Sequence, residues 1–200
     1  GLEILGIGII DIDIKDCIML KAGQTPNAEN LQKKNYTLID WYLHVLDGMK
    51  DRLLTISKYV VADAYFAKST FAQGVTDLGF HLVSRLRDDA NLMYIYNGKP
   101  TGKRGRPKVY GEKIDFENLD YSKMERIESN SEDEELYTLV AYSKAMKRNI
   151  RLVIWRGSKG KRKLYFSTDI NMSGKEVIEF YRTRFQIEFC YRDAKQYTGL

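Results

Sequence analysis

Two short apolar runs on either side of a helix-like stretch constrain the fold more than any other feature of this chain. Lys58-Tyr59-Val60-Val61-Ala62-Asp63 reads as a strand ending in a carboxylate. Ser69 to Leu78 reads as a short helix closed by Gly79, and Phe80 to Leu86 as the next strand. Upstream, the apolar run 2–10 reads as a buried strand. Asp11, Asp13 and Lys15 then alternate with Ile12 and Ile14, so a half-exposed strand or hairpin arm continues to about Leu20. Asn27 caps a helix carrying Leu31, Leu38, Trp41, Tyr42, Val45 and Met49 at helical spacing. Strands alternating with helices in this order predict an α/β core with at least some parallel pairing.

From Tyr94 to Thr168 the pattern changes. β-rich runs at Leu136–Tyr142, Ile150–Trp155 and Lys163–Ser167 are separated by Gly, Lys and Asn turns, and no long helix is patterned. This reads as a mostly β insertion over 93–170, between a first core part at 1–92 and a core helix within 171–200. Ser173, with Glu176 three residues on, is a capping box at the start of that helix.

Charge is unevenly spread. The net is +5, yet 98–113 carries six Lys/Arg against one Glu, and 144–163 carries nine Lys/Arg and no acid. Between them, 125–135 holds six acids and one Arg. Two basic segments on a folded chain point first to nucleic acid and second to a membrane surface, with a solvated face as the plain alternative. No run approaches the length of a membrane span, and no targeting segment is visible. Cys17 and Cys190, with two histidines, make no metal framework and give no sign of an oxidising compartment, so a cytoplasmic chain is expected. His44 lies in a helical apolar pattern and His81 at a strand start, so both read as structural. Gly6-x-Gly8 lacks the rest of a dinucleotide fingerprint and no P-loop occurs, which leaves no nucleotide cofactor.

The last helix pattern holds the most informative spacing. At about 100° per residue, Tyr181, Arg184, Glu188 and Lys195 fall on one stripe about 60° wide. As one helix, Tyr181 to Lys195 spans about 21 Å, too long for a compact triad and suited to a nucleic-acid backbone. An ordinary surface helix with an Arg184–Glu188 ion pair is the alternative. Asp63 ends a strand, where α/β folds hold ligands. A strand-end Asp and a helix Glu together supply the oxygen donors that divalent metal needs for phosphodiester chemistry. Trp155, inside the basic insertion, reads either as a base-stacking platform or as a packed sheet aromatic.

These residues carry a resemblance. Tyr181-x2-Arg184-x3-Glu188-x6-Lys195 matches the "YREK" signature of bacterial insertion-sequence transposases of the DDE class, spacing included. VADAYFAK around Asp63 resembles the segment holding that family's second acid, and FHLVSRLRDDANL and GKRGRPKVYGEK resemble the stretches that follow. The resemblance implies an α/β, RNase H-like mixed sheet with flanking helices, interrupted by a mostly β insertion. It implies that Asp63 and Glu188 are the second and third acids binding Mg2+, with Mn2+ as a substitute, and that Tyr181, Arg184 and Lys195 contact phosphates of the transposon end. The implied partners are double-stranded DNA, as terminal repeats and target, and a second copy in a synaptic homodimer. The place would be the bacterial cytoplasm, at the nucleoid when bound to DNA. The family's first acid lies on an earlier strand; no residue here matches it, Asp11 and Asp13 included, so an incomplete N-terminal part is expected. Arg104-Gly105-Arg106-Pro107, with Lys108, resembles an AT-hook, which enters narrow A·T minor grooves; a basic Gly/Pro turn is its alternative. The expected activity is cut-and-paste transposition. The alternatives are an RNase H-like nuclease that does not join strands and a catalytically incomplete DNA-binding remnant.

Overall fold

The computed structural model describes residues 3–98, 108–129, 131 and 133–198. The elements in order are β1 (Ile4–Asp11), β2 (Asp16–Gln24), α1 (Ala28–Lys33), α2 (Leu38–Asp47), α3 (Lys50–Leu54), β3 (Tyr59–Val61), α4 (Ser69–Asp77), β4 (His81–Leu86) and β5 (Leu92–Ile95). They continue with β6 (Tyr110–Lys113), β7 (Glu125–Ile127), β8 (Glu134–Ser143), β9 (Arg148–Gly157), β10 (Arg162–Ser167), α5 (Gly174–Thr183) and α6 (Gln186–Thr198).

One large mixed sheet runs β3-β4-β10-β9-β8-β5-β6, with β7 alongside β8. Its parallel pair is β3 with β4, joined through α4, as the β-α-β pattern requires. α4 ends in the way glycine permits. Gly79 sits at φ +90°, its N–H donates to Thr76 O (3.0 Å), and Phe80 N donates to Val75 O (3.1 Å). The remaining pairings are antiparallel. β10 lies between β4 and β9, so the β-rich run continues the same sheet. Helices cover both faces. α2 and α4 bury Ile39, Leu46, Phe71 and Val75 on one side, and α5 lays Val177 and Ile178 over Val83, Val153 and Tyr165 on the other. Covered twice, β9 and β10 read as continuous apolar runs, and Leu152, Val153, Ile154, Leu164 and Phe166 are fully buried.

Three expectations need correcting. The run at 2–10 is not a core strand: β1 and β2 form a separate two-stranded sheet in which Leu5 is the buried hydrophobic residue. The helix expected from Asn27 to Met49 is two short helices, α1 and α2. Asn35 at φ +53° ends the first, and a Thr37–Asp40 capping box starts the second.

The single helix expected through Tyr181 and Lys195 is two, α5 and α6, meeting at Arg184-Phe185. The Thr183 hydroxyl bonds back to Phe180 O (2.9 Å), a contact that bends helices. Across the junction Arg184 N, Ile187 N and Glu188 N reach carbonyls three residues back (3.2, 3.3 and 2.9 Å), a tightened turn that alters the helical phase. The bend lets α5 stay on the large sheet while α6 packs on the hairpin. Gly6 makes room for it, since an added Cβ there would strike the Tyr191 ring; at Gly8 an added Cβ would instead meet Cys17 Sγ of the neighbouring strand at 2.7 Å. The Ser173–Glu176 capping box forms as expected.

Candidate functional site

The carboxyl ends of β3 and β4 and the C-terminal end of α5 meet in one place. Asp63, two residues past β3, is exposed and caps a single 3-10 turn, its Oδ1 accepting from Ala64 N at 2.7 Å. Its backbone is pinned to the sheet, since Asp63 O accepts from the buried Ser84 hydroxyl at 3.0 Å. The next residue of β4, Arg85, projects to the other face of the sheet, where α5 lies, and its partner across the ladder is Tyr165.

Tyr181 stands over this row, its ring 4.8 Å from that of Tyr165. Burial pushes the Tyr181 hydroxyl above its usual pKa; the Asp63 charge adds to the rise, while Arg184 and Arg85 oppose it. A tyrosine held protonated is a hydrogen-bond donor at neutral pH. Arg184 lies 5.8 Å from the centre of the Tyr181 ring, and its guanidinium pairs with Glu188 at 3.0 Å. Arg85 reaches Asp88 with one terminal nitrogen at 3.4 Å. The Nε atoms of both arginines are buried without a hydrogen-bond partner. Donors left over in this way suit an incoming anion, and arginine takes phosphate with two parallel bonds.

Of the residues singled out from the sequence, Tyr181, Arg184 and Glu188 form one connected series, and the Asp63 charge is felt at Tyr181. Lys195 is exposed and lies further along α6, about 10 Å beyond Glu188 at 1.5 Å per residue. Lys108 is exposed beside Tyr96, 5.0 Å from its ring centre, at the far edge of the sheet. Arg104 and Arg106 lie outside the described residues. Asp11 is a turn residue, its Oδ1 accepting from Asp13 N and Ile14 N. Trp155 is a packed sheet aromatic, its Nε1 bonded to Glu134 at 2.6 Å. Cys17 and Cys190 are free thiols in contact, Cys190 donating to Cys17 O at 3.2 Å, and burial pushes the Cys17 thiol up to about 12.

Three contributors escaped the sequence reading. Arg85 and Tyr165 were legible only as alternate positions of apolar strands. Glu134 was hidden in an acidic run that reads as solvated, yet it bonds Trp155 and the α5 residue Arg182 (2.6 Å).

Among the described residues no three His, Cys, Asp or Glu side chains cluster as a metal site. The donor chemistry nevertheless fits a hard divalent cation in part. Asp63 Oδ1 and Glu188 Oε1 have protein partners, and the second oxygen of each has none among the described residues. The Arg184–Glu188 pair is largely exposed on the Glu side, so parting it costs about 1 kcal/mol or less.

No helix among the described residues is long and apolar enough to cross a membrane. A family model described as "DDE superfamily endonuclease" matches residues 20–160. That span includes Asp63 and Arg85 and stops short of α5 and α6. No curated protein matches the chain.

Proposed function

We infer the function from one premise: this chain belongs to the DDE superfamily endonucleases, whose model takes in well over half of it. Membership makes it a nuclease or polynucleotidyl-transferase type of domain, with DNA as substrate and divalent metal as cofactor. Beyond that, we propose a transposase of the insertion-sequence type, which cuts at transposon ends and joins the freed 3′-hydroxyl to target DNA. The observation that supports this reading is that Asp63, past the end of β3, lies within electrostatic reach of Tyr181, more than a hundred residues on, while Arg184 sits 5.8 Å from the Tyr181 ring and pairs with Glu188.

In this reading Asp63 and Glu188 offer carboxylate oxygens to Mg2+ or Mn2+. When bound, such ions activate the attacking oxygen and stabilise the leaving one in an in-line displacement. Tyr181 donates to a phosphate oxygen, and Arg184 neutralises the strand beside it with the help of Arg85. Lys195 holds the backbone further along, and Arg104, Arg106 and Lys108 belong to the DNA contacts of the β-rich part. The first acid is proposed on a strand preceding residue 1. The edge of β3 beside Asp63, unpaired among the described residues, would accept such a strand. The division into 1–92, 93–170 and 171–200, and a synaptic homodimer, belong to the same proposal.

The test is product analysis with the intact protein and the element's own paired ends. Wild type is expected to give Mg2+-dependent cleavage and joined products. Asp63→Asn and Glu188→Gln are expected to lose at least a hundredfold in cleavage while retaining end binding. Cleavage with no joined product would replace this reading with a simple nuclease, and unchanged cleavage by Glu188→Gln would remove that residue from the site.

A further inference from the structure

The two basic segments, separated in sequence by an acidic run, meet on one face of the large sheet. Tyr142 pairs with Met93, and Met93 pairs on its other side with Lys113, so the three share a face. A register shift between Met93 and Ile95 brings Tyr110 to that same face. Simple alternation back from Lys113 would have put Tyr110 on the opposite face, with Glu112. Arg151 joins them, since it pairs with Val140, two residues from Tyr142 on β8. Lys144, from the other basic segment, places its Nζ 5.1 Å from the centre of the Tyr110 ring.

The face is therefore a row of cations around two tyrosines. None of Lys113, Lys144 and Arg151 makes an ion pair among the described residues. Arg151 is steadied by two bonds to Ile170 O (3.1 and 2.7 Å), which leave its charge uncompensated. Asp115, two residues beyond Lys113, takes its hydrogen bonds from Asn118 and the Glu117 N–H and makes no ion pair with Lys113, whose charge it offsets in part. α5 packs on β4, β10, β9 and β8; Tyr110, Tyr142 and Arg151 remain half-buried and Lys113 and Lys144 exposed.

We propose that this face, built from Lys113, Lys144, Arg151, Tyr110 and Tyr142, is a second contact for duplex DNA, reading its phosphate backbone. The net positive charge of the face selects a polyanion. The tyrosines stack on one another, ring centres 4.8 Å apart and planes 22° from parallel, so they offer hydroxyls to phosphates more readily than open faces to bases. Five strand spacings of about 4.8 Å across the sheet, with four residues (~13 Å) along the strands from the level of Asp63 to Tyr142, put this face roughly 27 Å from Asp63, or about eight base pairs of B-form DNA. A duplex cut beside Asp63 and lying across the sheet would reach this face at that distance; the distance rests on the proposed cleavage site, whereas the binding does not.

The experiment is fluorescence anisotropy of a labelled 30-base-pair duplex titrated with the purified chain in EDTA, over a range of salt. The double variant Lys113→Gln/Lys144→Gln is expected to weaken binding about tenfold and to reduce the slope of log K against log salt by about two. Lys33→Gln, on α1, is expected to change neither, with circular dichroism confirming that both variants fold. An unchanged slope in the double variant would overturn the proposal, as would a loss confined to single-stranded DNA. Because no metal or cleavage enters the measurement, an inactive chain would sink the catalytic reading and leave this one standing.

Discussion

Three donors converge on the Glu134 carboxylate: the Ser129 hydroxyl at 2.5 Å, Trp155 Nε1 at 2.6 Å and Arg182 at 2.6 Å. Burial on its own would raise this carboxyl's pKa; the bonds from Ser129, Trp155 and Arg182 outweigh it and hold the group below its usual 4.5. A depressed carboxylate contributes stability that is present above the ordinary pKa and lost as pH falls through the folded value. Glu134→Gln is therefore expected to cost about 1–3 kcal/mol at pH 7, where the charged bonds are lost, and less at pH 3. Thermal unfolding followed by circular dichroism at both pH values checks this. An equal difference at the two would mean that the charge of Glu134 does not matter. The same carboxylate ties α5 to the β-rich strands through Arg182, next to Tyr181.

At the scale of elements, α5 depends on how closely it approaches the sheet. Its first residue, Gly174, is buried, and an added Cβ would lie 2.6 Å from both Thr138 Cβ and Ile127 Cδ1. Alanine gains up to about 1 kcal/mol of helix propensity, but overpacking against a strand costs about 1–3 kcal/mol. Thr138 cannot step aside easily, because its hydroxyl is bonded to Leu152 O at 2.9 Å. Gly174→Ala is thus expected to destabilise and, by lifting α5, to weaken the DNA binding proposed for Tyr181 and Arg184. Ser173→Ala removes only the cap, at about 1 kcal/mol, and is expected to leave binding intact below its melting temperature. Equal binding by the two variants would show that the seat of α5 does not govern the site.

At the scale of the whole molecule, stability is divided between two sheets. The large sheet holds the fully buried side chains of β9 and β10, whereas the hairpin leaves Ile18 and Leu20 exposed and relies on α6. Two-stranded sheets are marginal alone, so amides of β1, β2 and α6 are expected to exchange with solvent together and before those of β8–β10. Hydrogen exchange read by mass spectrometry tests this, and equal protection of hairpin and central strands would contradict it. The sequence by itself determined the β3-α4-β4 unit, the Ser173 cap and the strands from Leu136 to Ser167. Each depends on apolar period or capping chemistry among near neighbours. Tertiary structure alone decided that β10 pairs with β4, that α6 turns away at Arg184, that Glu134 is a tether and that two basic segments share a face. Those outcomes depend on pairings between distant residues, and a pairing of that kind leaves no periodic trace along the chain.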